Sequence, residues 1–284
     1  MNFYFDNAMS EADEQSASPA RHLEDETPQS YIEIEEFAQN RGMLFGDGFF
    51  TTGIVKNGNI ELLPSHCKRL NDSISRLKFD EFSIKSLIHF LEISTNAVAL
   101  AGFRLTVARR QKERGYSISK NHSYDVLLQL FDLPLKKIDF CRLSFANTPV
   151  SLNPALAGIK HLNRLDNVLA SSEIDCPEAE VIMCYGDQVF SGSKSNIFIK
   201  KDGVWKTPEI NLAGVNGIMR QRVIEYFRAE NIPFEETKLF KSDILSAKEA
   251  FVTNCIIGVW PASKIEDKKL DTKESCTIKS YFIK

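Results

Sequence analysis

The chain has 284 residues, of which 43% are apolar, and it carries a formal net charge of −3. This length suits one large domain or two ordinary ones, while the absence of any apolar run of roughly eighteen residues, or of a signal-peptide pattern at the N-terminus, argues against membrane insertion and secretion. The six cysteines form no CxxC pair, so we predict no metal site, no disulfide framework, and reduced thiols in the cytoplasm.

The N-terminal part of the chain is polar and acidic. Residues 1–36 carry ten acids and one base, so the remainder carries 34 bases against 28 acids. Residues 2–5 predict a short strand, and residues 10–30 predict a flexible acidic insertion because they are polar and poor in aromatic residues. The mildly basic remainder suits a small anionic ligand. It has no dense basic stripe with interleaved aromatic residues, so no nucleic-acid partner is predicted.

Hydrophobic periodicity defines the elements of the first half of the chain. Asn57-Gly58 between two apolar runs is typical of a two-residue hairpin turn, and the spacing of Leu70, Ile74 and Leu77 predicts an amphipathic helix. The predicted elements are a hairpin over 53–63, helices over 67–79 and 85–100, and strands over 102–109 and 124–131.

The second half continues in the same mixed style after a proline-containing linker predicted at 131–137. Its predicted elements are an antiparallel meander over 179–208, a helix over 217–231 and a single buried strand over 249–262. Strands in hairpins, with helices between groups of strands, favour an α+β fold. We expect two domains, residues 1–130 and 138–284.

The stretch AGIKHLNRLDNVLA, residues 157–170, places Lys160 among small and apolar residues. One interpretation is a lysine whose stem lies on apolar surface with its charge in water. The other is an amine that burial keeps neutral, which makes it a nucleophile towards carbonyl groups. The residues alone leave both open.

A glycine-containing turn, with Gly214 and Gly217 on either side of Asn216, opens the predicted helix over 217–231. Backbone N–H groups at such a turn, together with the helix dipole, favour an anion such as phosphate. An ordinary capped helix is the alternative. No P-loop or dinucleotide-binding pattern is present, so a nucleotide is not indicated.

Three arginines are candidates for anion binding. Arg69 borders the buried face of its predicted helix, where it suits bidentate binding of a phosphate or, alternatively, lies at the edge of a core. Arg104 and Arg109 belong to a cluster around a strand end. Charges there are usually solvated, but a substrate with two carboxylates requires such a cluster.

Three motifs resemble those of the class IV pyridoxal-phosphate enzymes: GDGFFTT (46–52), LNPALAGIKHLNRLDNVLA (152–170) and AGVNGIMRQ (213–221). This family includes D-amino-acid and branched-chain aminotransferases and the aminodeoxychorismate lyases, to which the motifs are most similar. The resemblance extends from Tyr31 to the C-terminus. It implies a fold type IV architecture, with a smaller N-terminal α/β domain, a larger C-terminal domain built on a mostly antiparallel, barrel-like sheet, and a homodimer with its site between the domains.

The resemblance also implies roles for individual residues. Lys160 would hold pyridoxal 5'-phosphate as an imine and act as the acid–base group, and Arg69 would bind the cofactor phosphate. Arg109, with Arg104 behind it, would bind a substrate carboxylate. The other implied cofactor contacts are the backbone N–H groups of Ile218 and Met219, the Asn254-Cys255 turn, and Arg164 near the ring hydroxyl.

Two positions depart from the aminotransferase pattern. Thr51 replaces a glutamate, as in the lyases, and Ser191 replaces the glutamate that keeps the ring nitrogen protonated. Thr51 favours elimination, and Ser191 is compatible with it but also with a weakened or repurposed enzyme. The resemblance therefore implies conversion of 4-amino-4-deoxychorismate into 4-aminobenzoate and pyruvate for folate synthesis, with Lys160 or Thr51 protonating the leaving group. The alternatives are an aminotransferase, a cofactor-binding protein without activity, and a structural or interaction protein that binds no cofactor.

Overall fold

The computed structural model describes residues 2–6, 38–79, 82–133 and 138–282. The chain divides into two compact units, Met1–Leu133 with Lys160–Asn163, and Pro134–Ile159 with Arg164–Lys284. The predicted acidic insertion and part of the predicted linker lie outside the described residues, and the predicted domain limits stay a prediction. The four residues that begin with Lys160 pack with the first unit although their neighbours on both sides belong to the second.

The first unit is built on one antiparallel sheet with helices packed against it. The sheet has five strands in the order β1-β5-β4-β2-β3. The elements are β1 Asn2–Asp6, α1 Arg41–Phe45, β2 Gly48–Lys56, β3 Asn59–Ile60, α2 Leu63–Arg76, α3 Ile84–Thr95, β4 Leu100–Gln111 and β5 His122–Phe131.

The predicted hairpin and helices of this unit are confirmed. Asn57 and Gly58 both have positive φ angles, 50° and 75°, as the turn between β2 and β3 requires. Helix α2 begins before the predicted start because Pro64 stands in its first turn, where a missing N–H costs nothing. Its buried side includes Leu70 as expected.

Residues 160–162 pair with the start of β2, along the part of its edge that β3 does not cover. Phe50 N donates to Lys160 O at 2.9 Å, and Leu162 N donates to Gly48 O at 3.0 Å. His161 pairs directly with Phe49 in antiparallel fashion. Since side chains alternate across a strand, Lys160 lies on the same face as Phe50.

The second unit is built on a ten-stranded sheet, ordered β11-β10-β9-β13-β14-β6-β7-β8-β12 with β15 beside β14. The β6–β7, β6–β14 and β10–β11 pairs are parallel and the other pairs antiparallel. The strands are β6 Cys141–Phe145, β7 Ala179–Tyr185, β8 Gln188–Gly192, β9 Asn196–Lys201, β10 Val204–Pro208, β11 Phe234–Thr237, β12 Leu239–Phe240, β13 Glu249–Asn254, β14 Gly258–Ile265 and β15 Lys268–Lys269.

Helices pack against both faces of this sheet. They are α4 Leu165–Ser171, α5 Ile218–Ala229, α6 Lys241–Ser246 and α7 Lys273–Phe282. Side chains from β6, β7, β8, β9, β13 and β14 meet in one apolar cluster, whereas Phe198, Phe227 and Ile278 belong to a second cluster between the sheet and α5 and α7. Within the described part of the chain, no helix has the length and apolar character needed to cross a membrane. The predicted α+β class is confirmed.

Two sequence predictions for this unit are wrong. The meander breaks after β8, because the turn at 193–195 bonds to Glu180 and the next strand, β9, pairs with β10 and β13 instead. The single strand predicted over 249–262 is a hairpin. Asn254 Oδ1 accepts hydrogen bonds from the N–H groups of Ile256 and Ile257, which reverses the chain between β13 and β14.

Candidate active site

In the first unit the Lys160 side chain lies against an aromatic ring that an arginine also contacts. Its Nζ is 4.4 Å from the centroid of Phe50, and Cζ of Arg104 is 3.9 Å from the same centroid. Burial lowers the pKa of Arg104 from its usual value. The amine therefore shares an apolar, cationic face of the sheet with an arginine that is able to receive a carboxylate.

Thr51 lies on the opposite face of β2. Its side chain is fully buried, and its hydroxyl is 2.7 Å from His66 Nδ1 on α2. Strand alternation instead places the next residue, Thr52, on the face of Phe50 and Lys160, directly opposite Arg104 in the sheet. This geometry corrects the expectation for Thr51 and points to Thr52 as the hydroxyl on the lysine side, which the sequence interpretation missed.

Arg109 is enclosed in the core of the first unit and is 0% exposed. Its guanidinium donates to the carbonyls of Leu77 (2.8 Å) and Lys78 (3.2 Å) at the end of α2, pairs with Asp47 at 3.2 Å, and lies over the ring of Phe79. These contacts give Arg109 a structural role, so the expectation that it binds a substrate carboxylate is wrong. Of the two predicted arginines, Arg104 is the one on the lysine face.

Arg69 is half-buried on α2, one turn after His66. Burial, with a smaller effect of the Arg69 charge, lowers the pKa of His66 to about 3. His66 is therefore a neutral core residue at ordinary pH, and its Nδ1 is the atom that holds Thr51. The phosphate role of Arg69 stays a prediction.

In the second unit, the N-terminus of α5 offers free backbone donors. Its first residue follows Gly217, and no side chain caps it. The N–H groups of Ile218 and Met219 lie in the first turn, where a helix has no internal acceptors. Gly217 is required here because a Cβ would collide with the side-chain oxygen of Asn196. This turn has the local chemistry for a phosphate, and the phosphate contact of Ile218 and Met219 stays a prediction.

The Asn254-Cys255 turn has much of its hydrogen-bonding capacity already occupied. Asn254 Oδ1 accepts the N–H groups of Ile256 and Ile257, and its Nδ2 donates to Lys194 O at 3.1 Å. Asn254 thus supports the turn at 193–195 and shapes its own hairpin. Its predicted phosphate contact stays a prediction, as does that of Cys255.

Arg164 starts α4 and bonds to the residue before the lysine. Its Nη2 donates to Ile159 O at 2.8 Å, and its Nη1 donates to Asn167 Oδ1 at 3.3 Å. Burial lowers the pKa of Arg164 to about 10, against the opposing effect of the Asp166 charge. With two partners on the protein, Arg164 orients the peptide that precedes Lys160, and its predicted contact with the ring hydroxyl stays a prediction.

Ser191 is buried on β8 opposite Met183. Close to it in the chain, Ser193 and Ser195 donate their hydroxyls to Glu180 on β7, at 2.7 Å and 2.8 Å. The sequence interpretation missed this carboxylate. The available signal was an acid inside the otherwise apolar run AEVIMC.

Residues 48–265 match the family model Amino-transferase class IV. The match covers well over half of the sequence, so the chain belongs to the class IV aminotransferase family. The resemblance inferred from the three sequence motifs is confirmed.

Relatives of two activities resemble the chain. An aminodeoxychorismate lyase of Vibrio harveyi is 29% identical over 252 residues, which cover 86% of this chain and 92% of the relative. A D-alanine aminotransferase of Staphylococcus epidermidis is 29% identical over 248 residues, covering 84% and 87%. The crystal structure of 4-amino-4-deoxychorismate lyase from Pseudomonas aeruginosa aligns with a TM-score of 0.82 at 26% identity, over 90% of this chain and 95% of that one.

The stability of the protein should depend on pH through His66. Its pKa is lowered to about 3 in the folded state, so between about pH 6.5 and 3 the unfolded chain binds a proton that the folded chain does not. The free energy of unfolding therefore falls as the pH is lowered through this window, by about 2 kcal/mol at about pH 5. Urea unfolding at about pH 7.5 and pH 5 measures this loss.

His66→Gln is the matched variant, because glutamine keeps a hydrogen-bonding group near Thr51 but does not titrate. We expect the wild type to lose about 2 kcal/mol more than this variant between the two pH values. An equal loss in both proteins would contradict the burial of a neutral His66.

Proposed function

We propose that the chain is a pyridoxal-phosphate-dependent lyase that converts 4-amino-4-deoxychorismate into 4-aminobenzoate and pyruvate. The observation that carries the proposal is the Lys160 amine, which backbone pairing holds against Phe50, the ring that Arg104 also contacts. Enzymes of the class IV family depend on pyridoxal phosphate. The lyase relatives and the lyase-like residue Thr51 favour elimination within that family, and Ser191 is compatible with it.

The residues present fit this cofactor in each unit taken by itself. A lysine in apolar and aromatic surroundings suits an aldehyde, and an uncapped helix start suits a phosphate. Lys160 would hold the aldehyde carbon, while Ile218, Met219 and Arg69 would bind the phosphate. Ser191 would face the ring nitrogen. Bound in this way, pyridoxal phosphate supplies an electron sink for the carbon that bears the substrate amine.

The protein residues then carry the proton transfers. Lys160 Nζ removes the proton from the ring carbon that bears the amine, and the enolpyruvyl group leaves from the neighbouring carbon as the ring becomes aromatic. The hydroxyl of Thr52, on the lysine face of β2, replaces Thr51 as the proposed donor to the leaving oxygen. Arg104 binds a substrate carboxylate and thereby orients the leaving group.

Amino transfer is the second candidate, because an aminotransferase is as similar to the chain in identity as the lyase relative. It would use the same lysine. Formation of an amino acid that depends on an added keto acid distinguishes it from the lyase. A protein that binds pyridoxal phosphate and turns over neither substrate would match the non-catalytic alternative.

Lys160→Ala should abolish formation of 4-aminobenzoate and the visible absorption of the bound cofactor, because the amine is both the attachment point and the base. The measurement is product formation from 4-amino-4-deoxychorismate by purified protein with pyridoxal phosphate. Borohydride reduction and peptide mapping of the wild type should find the cofactor on Lys160.

The matched control is Lys56→Ala, which removes an exposed lysine at the other end of β2. It should leave activity and absorption unchanged. Lyase activity retained by Lys160→Ala would refute the proposed role of this amine.

Arg104 and Arg109 should respond differently to the same substitution. Arg104→Leu should raise KM for the substrate by about tenfold or more through loss of a charged contact, with little loss of stability. Arg109→Leu should lower the free energy of unfolding by about 3 kcal/mol, because two carbonyls lose their donor and the half-buried Asp47 keeps only Arg41 of its two arginine partners. Steady-state kinetics and urea unfolding of both variants test this contrast. Equal KM effects would contradict it.

We also propose a homodimer, supported by an apolar face on α4. Leu165, Val168 and Leu169 are 71%, 60% and 50% exposed, and they share one side of the helix. Exposed apolar patches of this kind mark interfaces. The cytoplasmic location predicted from the cysteines stays a prediction.

Light scattering should therefore give twice the chain mass of 32.2 kDa. Val168→Glu should shift the protein to monomer by placing a charge in the contact. Leu245→Glu, at a 43% exposed apolar residue on α6, is the matched control and should remain dimeric. A monomeric wild type would overturn the proposal.

A further inference from the structure

Two buried glutamates of the second unit are used differently. Glu249, 2% exposed, accepts the N–H groups of Glu274 and Ser275 and the Ser275 hydroxyl, and so it binds the start of α7. Glu180, 0% exposed, accepts the hydroxyls of Ser193 and Ser195 and the N–H of Ser193. Of this pair, Glu180 is therefore the carboxylate joined to the segment that contains Ser191.

The contacts of Glu180 are those of an acceptor. Its Oε1 is 2.7 Å from Ser193 Oγ and 3.0 Å from Ser193 N, while its Oε2 is 2.8 Å from Ser195 Oγ. Each oxygen accepts a hydroxyl, and Oε1 also accepts the N–H of Ser193, which are the bonds that a carboxylate makes as an acceptor. Burial, and after it the nearby Glu180, raise the pKa of the Cys141 thiol.

Gly192 lets the carboxylate approach the turn. A Cβ at Gly192 would lie 3.1 Å from the carboxyl carbon of Glu180 and would collide with Ser195 Oγ. The carboxylate thus lies against the backbone directly after Ser191. Gly192 N also donates to Ser195 O at 2.9 Å, which closes the turn over Glu180.

A chain of hydrogen bonds continues from this turn towards the lysine. Ser193 O accepts Asn167 Nδ2 at 2.8 Å, Asn167 Oδ1 accepts Arg164 Nη1 at 3.3 Å, and Arg164 Nη2 donates to Ile159 O at 2.8 Å. Ile159 is joined to Lys160 by a peptide bond. Glu180 is therefore connected to the peptide that carries the proposed catalytic amine.

Bound pyridoxal phosphate requires a partner for its ring nitrogen, usually a charged one, and Ser191 has no charge. We propose that Glu180 supplies the negative charge near the ring nitrogen of the cofactor, acting through the hydrogen-bonded turn at 193–195. The inference rests on the proposed function. Glu180 acts through Ser193 and Ser195 and does not touch the cofactor, so it is a positioning residue.

The test is a pH titration of the visible absorption of protein loaded with pyridoxal phosphate. Loss of a nearby negative charge disfavours the protonated form of the bound cofactor, so Glu180→Gln should move the titration midpoint to lower pH by about one unit. Glu249→Gln removes a similarly buried carboxylate elsewhere and should leave the midpoint unchanged. Adding Ser191→Glu to Glu180→Gln should return the midpoint towards the wild-type value.

The outcomes separate this inference from the function on which it rests. An unshifted midpoint in Glu180→Gln, with the cofactor still attached to Lys160, overturns the inference alone, as does an equal shift in Glu249→Gln. A wild type that carries no cofactor on Lys160 overturns the proposed function and the inference together.

A conservative variant covers the case in which Glu180→Gln does not fold. Glu180→Asp keeps the charge but withdraws it by one methylene from Ser193 and Ser195. It should shift the midpoint in the same direction by a smaller amount. An unchanged midpoint in this folded variant overturns the inference.

Discussion

The position of the Lys160 amine depends on backbone pairing between residues 160–162 and the edge of β2. Two main-chain hydrogen bonds, from Phe50 to Lys160 and from Leu162 to Gly48, align the segment, and strand alternation then directs the lysine towards Phe50. Gly48 permits this approach, since a Cβ there would collide with Cδ1 of Leu162 as well as with the carbonyl of Val107 on β4. Because the main chain makes these bonds, the segment keeps its place whatever side chain stands at position 160.

In the second unit, side-chain amides rather than main-chain pairing hold the loops in place. Asn167, Asn196 and Asn254 each donate to a loop carbonyl, those of Ser193, Val215 and Lys194 respectively. Carbonyl groups in loops have no sheet or helix partner, so such donors satisfy them and restrict the backbone. The loops joined in this way are the one that follows Ser191 at the end of β8 and the one that leads into α5. The candidate cofactor contacts of this unit therefore lie on segments that are fixed to one another.

Much of the fold follows from local sequence, and part of the site does as well. The hairpin at Asn57-Gly58 and the amphipathic α2 follow from turn chemistry and periodicity. Alternation along β4 also separates the two arginines: Phe103, Leu105 and Val107 are buried, so Arg109 is on the core face and Arg104 on the other. Strand β2 offers no such signal because Phe49 and Phe50 lie on opposite faces, so its sequence does not indicate whether Thr51 or Thr52 is on the lysine side.

Other features depend on contacts between distant parts of the chain. Nothing local indicates that residues 160–163 pack with the first unit, since their neighbours belong to the second. Glu180 meets Ser193 and Ser195, thirteen and fifteen residues away, only through the β7–β8 register with its irregularity between Met183 and Cys184. A sequence motif compares the residue types at given positions of the chain. It therefore does not detect that Glu180 reaches the turn at 193–195 from the neighbouring strand β7. The serine at position 191 is therefore not, by itself, a measure of the charge at this end of the site.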